Sequence, residues 1–196
     1  MVTELLLTEE AVRNRVRELG EQISRDYHGR SLLLVGLLKG SILFLADLAR
    51  AISLDVAVDF IAISSYQNRA TSSGSVRLLR DLDQDVRGRD VLIVEDIVDS
   101  GLSLSYIRAM LLARGPRSLA IVALLDKQDR RSREVAIDYA GFPIPDRFVV
   151  GYGLDYQERY RGLRHIAMLT DAEIEQGERA SGGGEAGPGG IGGAQR

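Results

Sequence analysis

The chain has 196 residues, 45% hydrophobic and 27% charged, with a formal net charge of −3, no Cys and two His. That length suits one α/β-sized domain, and the missing Cys excludes a disulfide framework, a Cys-ligated metal and a thiol nucleophile, so any metal would be held by oxygen. No run reaches the roughly 18 to 20 apolar residues of a membrane span, Met1–Glu10 lacks signal-peptide character, and the acidic balance argues against nucleic acid, so a cytoplasmic protein is expected.

In chain order, Thr8 followed by Glu9 and Glu10 reads as a helix N-cap, and Val12, Val16, Leu19 and Ile23 recur at helical spacing as far as about Asp26. Ser31 to Leu37 is a short apolar run read as a buried strand. Lys39-Gly40-Ser41 breaks it, and Ser41 is placed to cap a helix with Ile42, Leu45, Leu48 and Ile52 on one stripe. Asp55 to Ile63 reads as a strand, with Val56, Val58 and Phe60 alternating against Asp55 and Asp59.

Ser64 to Ser75 is polar and unpatterned over about twelve residues, the signature of a lid or binding loop. Strands are predicted at Val76–Asp81, Asp90–Glu95 and Leu119–Leu125, with a helix from Ser103 to Arg114 that stops at Gly115-Pro116. Asp126 to Arg133 is a charged loop, and Phe148–Val150 and His165–Leu169 are short final strands. Repeated strand-loop-helix units with apolar strands predict a mostly parallel sheet flanked by helices, with ligands at the carboxyl ends of the strands. Nine of the 21 glycines fall between Gly177 and Gly193, so residues 1–176 are expected to fold and 177–196 to form a Gly-rich disordered tail.

Glu95-Asp96-Ile97-Val98-Asp99-Ser100-Gly101-Leu102-Ser103 carries the chemistry. Its downstream half offers turn amides, a glycine, two hydroxyls and a helix N-terminus, which suit a phosphate. Its carboxylates suit sugar hydroxyls or a hydrated Mg2+. A phosphorylated sugar satisfies both halves at once, and three carboxylates this close repel and need a cation or ligand to offset them. A second oddity is that the 25 basic residues include just two lysines, Lys39 and Lys127, both on loops that follow predicted strands. Arginine-biased codon usage alone would produce that count, and a need for a compact ammonium at the two positions would produce it too, so the residues by themselves leave both readings open.

The acidic segment resembles the phosphoribosyl-diphosphate signature of the type I phosphoribosyltransferases, with Ser100 and Ser103 where many members carry Thr. Leu38-Lys39-Gly40-Ser41 resembles that family's diphosphate loop, and Ser64-Ser65-Tyr66 the start of its lid. Asp126-Lys127 and Phe148 to Tyr156 resemble the purine-recognition half of its hypoxanthine (hypoxanthine-guanine) members. The likeness runs in consistent order from Leu5 to Thr170.

The resemblance implies the type I phosphoribosyltransferase fold, with a small hood subdomain and a mobile lid. It implies a Mg2+-dependent purine salvage enzyme that joins hypoxanthine, and guanine, to phosphoribosyl diphosphate, giving IMP or GMP. By the same resemblance, Asp99 is the catalytic base. Phosphoribosyl diphosphate is held by Lys39, Gly40, Glu95, Asp96, Asp99, Ser100, Gly101, Leu102, Ser103 and Arg161, with Ser65 and Tyr66 joining from the lid and a cis peptide preceding Lys39. The purine meets Lys127, Phe148, Val149 and Asp155, and Mg2+ meets Glu95, Asp96 and Asp155. Family members are commonly dimers or tetramers, so a homodimer or homotetramer is implied. An RNA-binding regulator on the same fold is a weaker reading, because Arg130, Arg131 and Arg133 are the one tight basic cluster; a preference for guanine or xanthine stays open.

Overall fold

The computed structural model describes residues 4–65, 76–130 and 135–182. Strand β1 (Glu4–Leu7) leads into helix α1 (Glu9–Asp26), where the Thr8 hydroxyl accepts from Ala11 N at 3.1 Å as the expected N-cap. Strand β2 (Leu32–Leu38) is buried almost throughout, and helix α2 (Ile42–Ala51) follows it. Strands β3 (Val56–Ser65), β4 (Val76–Arg80) and β5 (Asp90–Val98) precede helix α3 (Leu102–Leu112). Strands β6 (Ser118–Asp126), β7 (Tyr139–Pro143), β8 (Val149–Val150) and β9 (Ile166–Met168) and helix α4 (Asp171–Gly182) complete the described chain.

The main sheet has the order β4-β3-β2-β5-β6-β7, parallel throughout except for β4, which pairs antiparallel with β3 at the edge. Residues of one strand alternate between two cores. Leu32, Leu34, Leu92 and Val94 pack under α1 and α2 with Val12, Val16, Leu19, Phe44 and Leu48. Leu33, Val35, Val91 and Ile93 face the other way, against Leu104, Ile107 and Leu111 of α3. Burial on both faces explains why these strands read as continuous apolar runs. A separate antiparallel sheet, β1-β9-β8, forms the hood.

Three details depart from the sequence reading. Ser41 sits at the N-cap of α2, but its hydroxyl donates to Leu37 O at 2.6 Å and caps nothing. In β3 the alternation holds in part: Val56 and Phe60 pack against the core, but Val58 is exposed, whereas Asp59 is buried and its Oδ2 accepts from Asp83 N and Gln84 N, each at 2.9 Å. A buried carboxylate is tolerated there because those amides satisfy it. Finally, α4 carries helical structure to Gly182, past residue 176, so the expected tail boundary at Gly177 falls inside a helix. The lid reading falls mostly on residues 66–75, outside the described residues.

Candidate active site

Strands β2 and β5 are neighbours whose chains leave in opposite directions along the sheet, β2 toward β3 and β5 toward β6. Such a switch point opens a crevice beyond the strand ends. Lys39 and Gly40 leave β2 there, and Asp96 to Ser103 spans the end of β5 and the entry to α3. The Leu38–Lys39 peptide is cis, as the resemblance implied. Packing is close enough that a Cβ on Gly40 would overlap the Asp96 carboxylate, while a Cβ on Gly153 would overlap the Gly40 carbonyl. Gly153 also has φ +101°, which a side chain would strain. These two glycines let the β2 loop, the acidic strand end and the loop after β8 meet without side chains between them.

Glu95 was expected at the end of its strand beside Asp96, both facing one ligand. The strand instead continues to Val98, so the two carboxylates point to opposite faces. Asp96 lines a cavity of about 310 Å3 with Lys39, Gly40, Ile97, Asp99, Lys127, Phe148, Val149, Leu154, Asp155 and Arg161. Glu95 lines a smaller one of about 110 Å3 with Asp99, Ser100, Gly101 and Ser103. Asp99 and Ile97 border both, so the cavities adjoin at the candidate base. Leu102, partly exposed, begins α3 just after the N-cap residue Gly101, which has a φ of +76°.

Burial dominates the acidic pair. It pushes the Asp96 carboxyl up to about 6, against hydrogen bonds from its own amide and that of Ile97 and the nearby Arg161 charge. Glu95 is raised well above the ordinary carboxylate range by burial first and the Asp96 charge second. Glu95 Oε2, Asp99 Oδ1 and Arg161 Nε are buried and have no hydrogen-bond partner. Orphaned polar atoms of both signs around one crevice fit a ligand that carries both cations and anions.

At the purine end, Lys127 is buried, with Nζ 3.7 Å from Asp146 Oδ1, and Phe148 is partly exposed on the cavity wall. Arg130 spans Asp99 Oδ2 and Asp146 Oδ2 at 3.4 Å each. The Phe148 ring meets Tyr156 edge to face, with centroids 5.2 Å apart at 81°. Tyr156 in turn donates from its hydroxyl to Ile174 O at 2.9 Å, and a Cβ on Gly177 would overlap its ring. Helix α4 therefore braces Phe148 through Tyr156, a link the sequence reading missed because it assigned Gly177 to the tail. A chain ending at Gly182 is expected to keep its base KM, whereas one ending at Gln176 raises it about three- to tenfold, the equivalent of one aromatic contact; steady-state kinetics on the two truncations checks this.

Asp155 is more engaged than expected. Its Oδ1 lies 2.7 Å from Arg161 NH2 and its Oδ2 accepts from Glu158 N at 2.9 Å. Ser65 ends β3, and Tyr66 lies outside the described residues, so the lid contacts assigned to this pair are not part of the cavity described above. A larger cavity of about 660 Å3 lies elsewhere, against α1 and α2, lined by Arg13, Arg17, Arg50 and Arg164 among others; it contains none of the expected site residues.

Among the described residues no group of three or more His, Cys, Asp or Glu side chains converges as a metal site. The hard oxygen donors of Asp96 and Glu95, one of them the orphaned Glu95 Oε2, nonetheless fit Mg2+, which commonly takes one or two carboxylates and completes its shell with water and substrate oxygens.

A parallel sheet with a separate hood, and a switch-point crevice with phosphate-type and carboxylate halves, define a phosphoribosyl-transfer site. Residues 3–157 match the family model described as "Phosphoribosyl transferase domain". The hypoxanthine-guanine phosphoribosyltransferase of Mycobacterium tuberculosis is 53% identical over 174 residues, covering 86% of this chain and 86% of that one. The hypoxanthine phosphoribosyltransferase of Escherichia coli is 50% identical over 168 residues, covering 85% of this chain and 94% of that one. A crystal structure of a Bacillus anthracis hypoxanthine-guanine phosphoribosyltransferase superposes with a TM-score of 0.83 at 43% identity, covering 87% of this chain and 100% of that one. The chain belongs to the phosphoribosyltransferase family, on the hypoxanthine and hypoxanthine-guanine branch.

Proposed function

We infer that the protein is a purine salvage enzyme that transfers the 5-phosphoribosyl group of phosphoribosyl diphosphate to hypoxanthine, and to guanine, releasing diphosphate with IMP or GMP. The observation that carries this reading is that Lys39, Arg161, Asp99, Lys127 and Phe148 all line one cavity. Purine N9 forms a bond to the anomeric carbon as the bond to diphosphate breaks, and Asp99 takes the proton the purine loses at N7. Lys39 and Arg161 neutralise the departing diphosphate, while the loop from Asp99 through Ser100, Gly101, Leu102 and Ser103 holds the 5-phosphate. Phe148 stacks on the base, backbone groups of Val149 and Asp155 meet its edge, and Lys127 donates to O6. Asp96 and Asp155 would hold Mg2+ from the larger cavity and Glu95 from the adjoining one, and the ion would supply charge neutralisation at the diphosphate.

A buried ammonium facing O6 selects 6-oxopurines, because adenine would set an amino donor against a cation. The test is incubation with phosphoribosyl diphosphate, Mg2+ and an equimolar mixture of hypoxanthine, guanine, xanthine, adenine and uracil, followed by identification of the nucleotides. IMP and GMP without AMP are expected; AMP formed at a rate near that of IMP, or no nucleotide at all, overturns the reading.

The acidic pair makes binding pH-dependent. With its carboxyl pushed up to about 6, Asp96 is protonated below that pH and loses the charge that would hold a cation and strengthen its hydrogen bonds to ribose hydroxyls. Affinity for magnesium phosphoribosyl diphosphate is therefore expected to fall as pH drops through about 6, as calorimetric titration would show. The sign for stability is opposite. A carboxyl raised above its unfolded value stabilises the fold at low pH, and that contribution is lost as pH rises through about 6.

We place the enzyme in the cytoplasm; no helix among the described residues is long and apolar enough to cross a membrane. A homodimer or homotetramer is proposed in addition, supported by the exposed Ile42 and Leu43 on α2 and Val58 on β3.

A further inference from the structure

The two cations assigned to the diphosphate already share an anion. Lys39 Nζ bonds both carboxylate oxygens of Glu158 at 3.1 Å, and Arg161 NH2 reaches Glu158 Oε2 at 3.5 Å. Lys39 comes from the loop after β2 and Arg161 from the loop after β8, so Glu158 draws together cations from two separate segments. Its carboxyl is held below the ordinary range, first by the hydrogen bond from Lys39, so it is an anion at neutral pH.

The segment that presents it is unusual. Gln157, Glu158 and Tyr160 all have positive φ, at 53°, 59° and 73°. Non-glycine residues seldom adopt this region, and three in a four-residue stretch need surrounding structure to hold them. Asp155 supplies part of that hold by accepting from Glu158 N while pairing with Arg161. The carboxylate is thus carried on a shaped loop whose base is tied to one of the cations it meets.

We propose that Glu158 is an intramolecular stand-in for diphosphate, which occupies the Lys39–Arg161 anion site in the free enzyme and must be displaced for phosphoribosyl diphosphate to bind. This rests on the reading that the two cations receive diphosphate. Displacement is feasible because Lys39 and Glu158 are both mostly exposed, and an exposed pair contributes little and is screened by salt. A single carboxylate with one charge is easily outcompeted by a diphosphate with several. The same exchange runs in reverse after transfer: Glu158 re-engages the cations as diphosphate leaves, so it limits product retention. Glu158 therefore sets affinity for one class of ligand, those bearing a diphosphate, and leaves nucleoside monophosphates unaffected.

The experiment is calorimetric titration of the wild-type protein, Glu158→Gln and Glu158→Ala with magnesium diphosphate and, separately, with IMP. Both variants are expected to bind diphosphate about two- to fivefold more tightly than wild type, with IMP affinity unchanged. The gain is expected to shrink as salt rises from low to high ionic strength. Diphosphate affinity that is unchanged or weaker in the variants, or an equal tightening for IMP, overturns the proposal. Failure of the wild-type protein to bind diphosphate would instead overturn the assignment of the anion site, so the two failures are distinguishable. Glu158→Gln removes the charge and keeps the side chain's length, Glu158→Ala removes both, and circular dichroism checks that each variant is folded.

Discussion

Asp99→Asn is expected to lower kcat by about 10²- to 10⁴-fold while leaving affinity for phosphoribosyl diphosphate within a few-fold of wild type. Asn has the same shape and still accepts a hydrogen bond, so the cavity that Asp99 borders is kept, but the amide cannot take up the purine proton. One Asp99 oxygen, Oδ1, is buried with no partner, while Oδ2 is 3.4 Å from Arg130. That leaves one oxygen available to the base and the other oriented by a guanidinium. Single-turnover kinetics with hypoxanthine separates this loss from slow product release. A variant that keeps wild-type turnover would remove Asp99 from the base role and leave it as a helix-entry acid before α3.

The same residue shows why part of the site was legible from sequence. The apolar runs within Ser31 to Leu37 and Asp90 to Glu95 read as buried strands, and ligands in such sheets sit at the carboxyl ends of the strands. Lys39 and Lys127 stood out because the chain otherwise uses arginine, and both line the cavity. The facing of Glu95 and Asp96 was also available in principle, since strand side chains alternate, but it depended on knowing that β5 runs on to Val98 instead of stopping at Glu95.

Other features had no local signal. Helix α4 contains Gly177, Gly182 and a single large apolar residue, Ile174, so composition alone favours disorder. Tertiary contact decides otherwise: Thr170 and Glu173 cap the start reciprocally, with Glu173 Oε2 accepting from Thr170 N at 2.9 Å, and the Tyr156 hydroxyl anchors Ile174 O. Gly177, which looked like the start of a tail, is the point where the Tyr156 ring makes its close approach. The burial of Asp59 has no local signal either, because it depends on the returning amides of Asp83 and Gln84, which join its neighbour Phe60 N in donating to the carboxylate. Glu158 is invisible for a related reason, because its position depends on a run of positive φ that the sequence Asp155-Tyr-Gln-Glu-Arg does not announce.

Gly40→Ala is expected to cost about 100-fold in kcat/KM, although it adds one methyl group to a loop. The new Cβ would overlap the Asp96 carboxylate, so either the carboxylate rotates away or the loop moves back. Retreat is blocked on the other side, where the Gly40 carbonyl packs against Gly153 closely enough that no Cβ fits between them. The displacement therefore falls on Asp96 and on Lys39, the residue next to Gly40. A misplacement of about 1 Å in groups that orient a substrate is enough for a loss of that size. Overpacking of this kind also destabilises by about 1–3 kcal/mol, so thermal melts must show that the variant is folded at the assay temperature. A double-mutant cycle then locates the damage. If Gly40→Ala acts through Asp96, adding it to Asp96→Ala, which removes the obstructing carboxylate, causes little further loss, whereas multiplied losses would mean that it acts chiefly through Lys39.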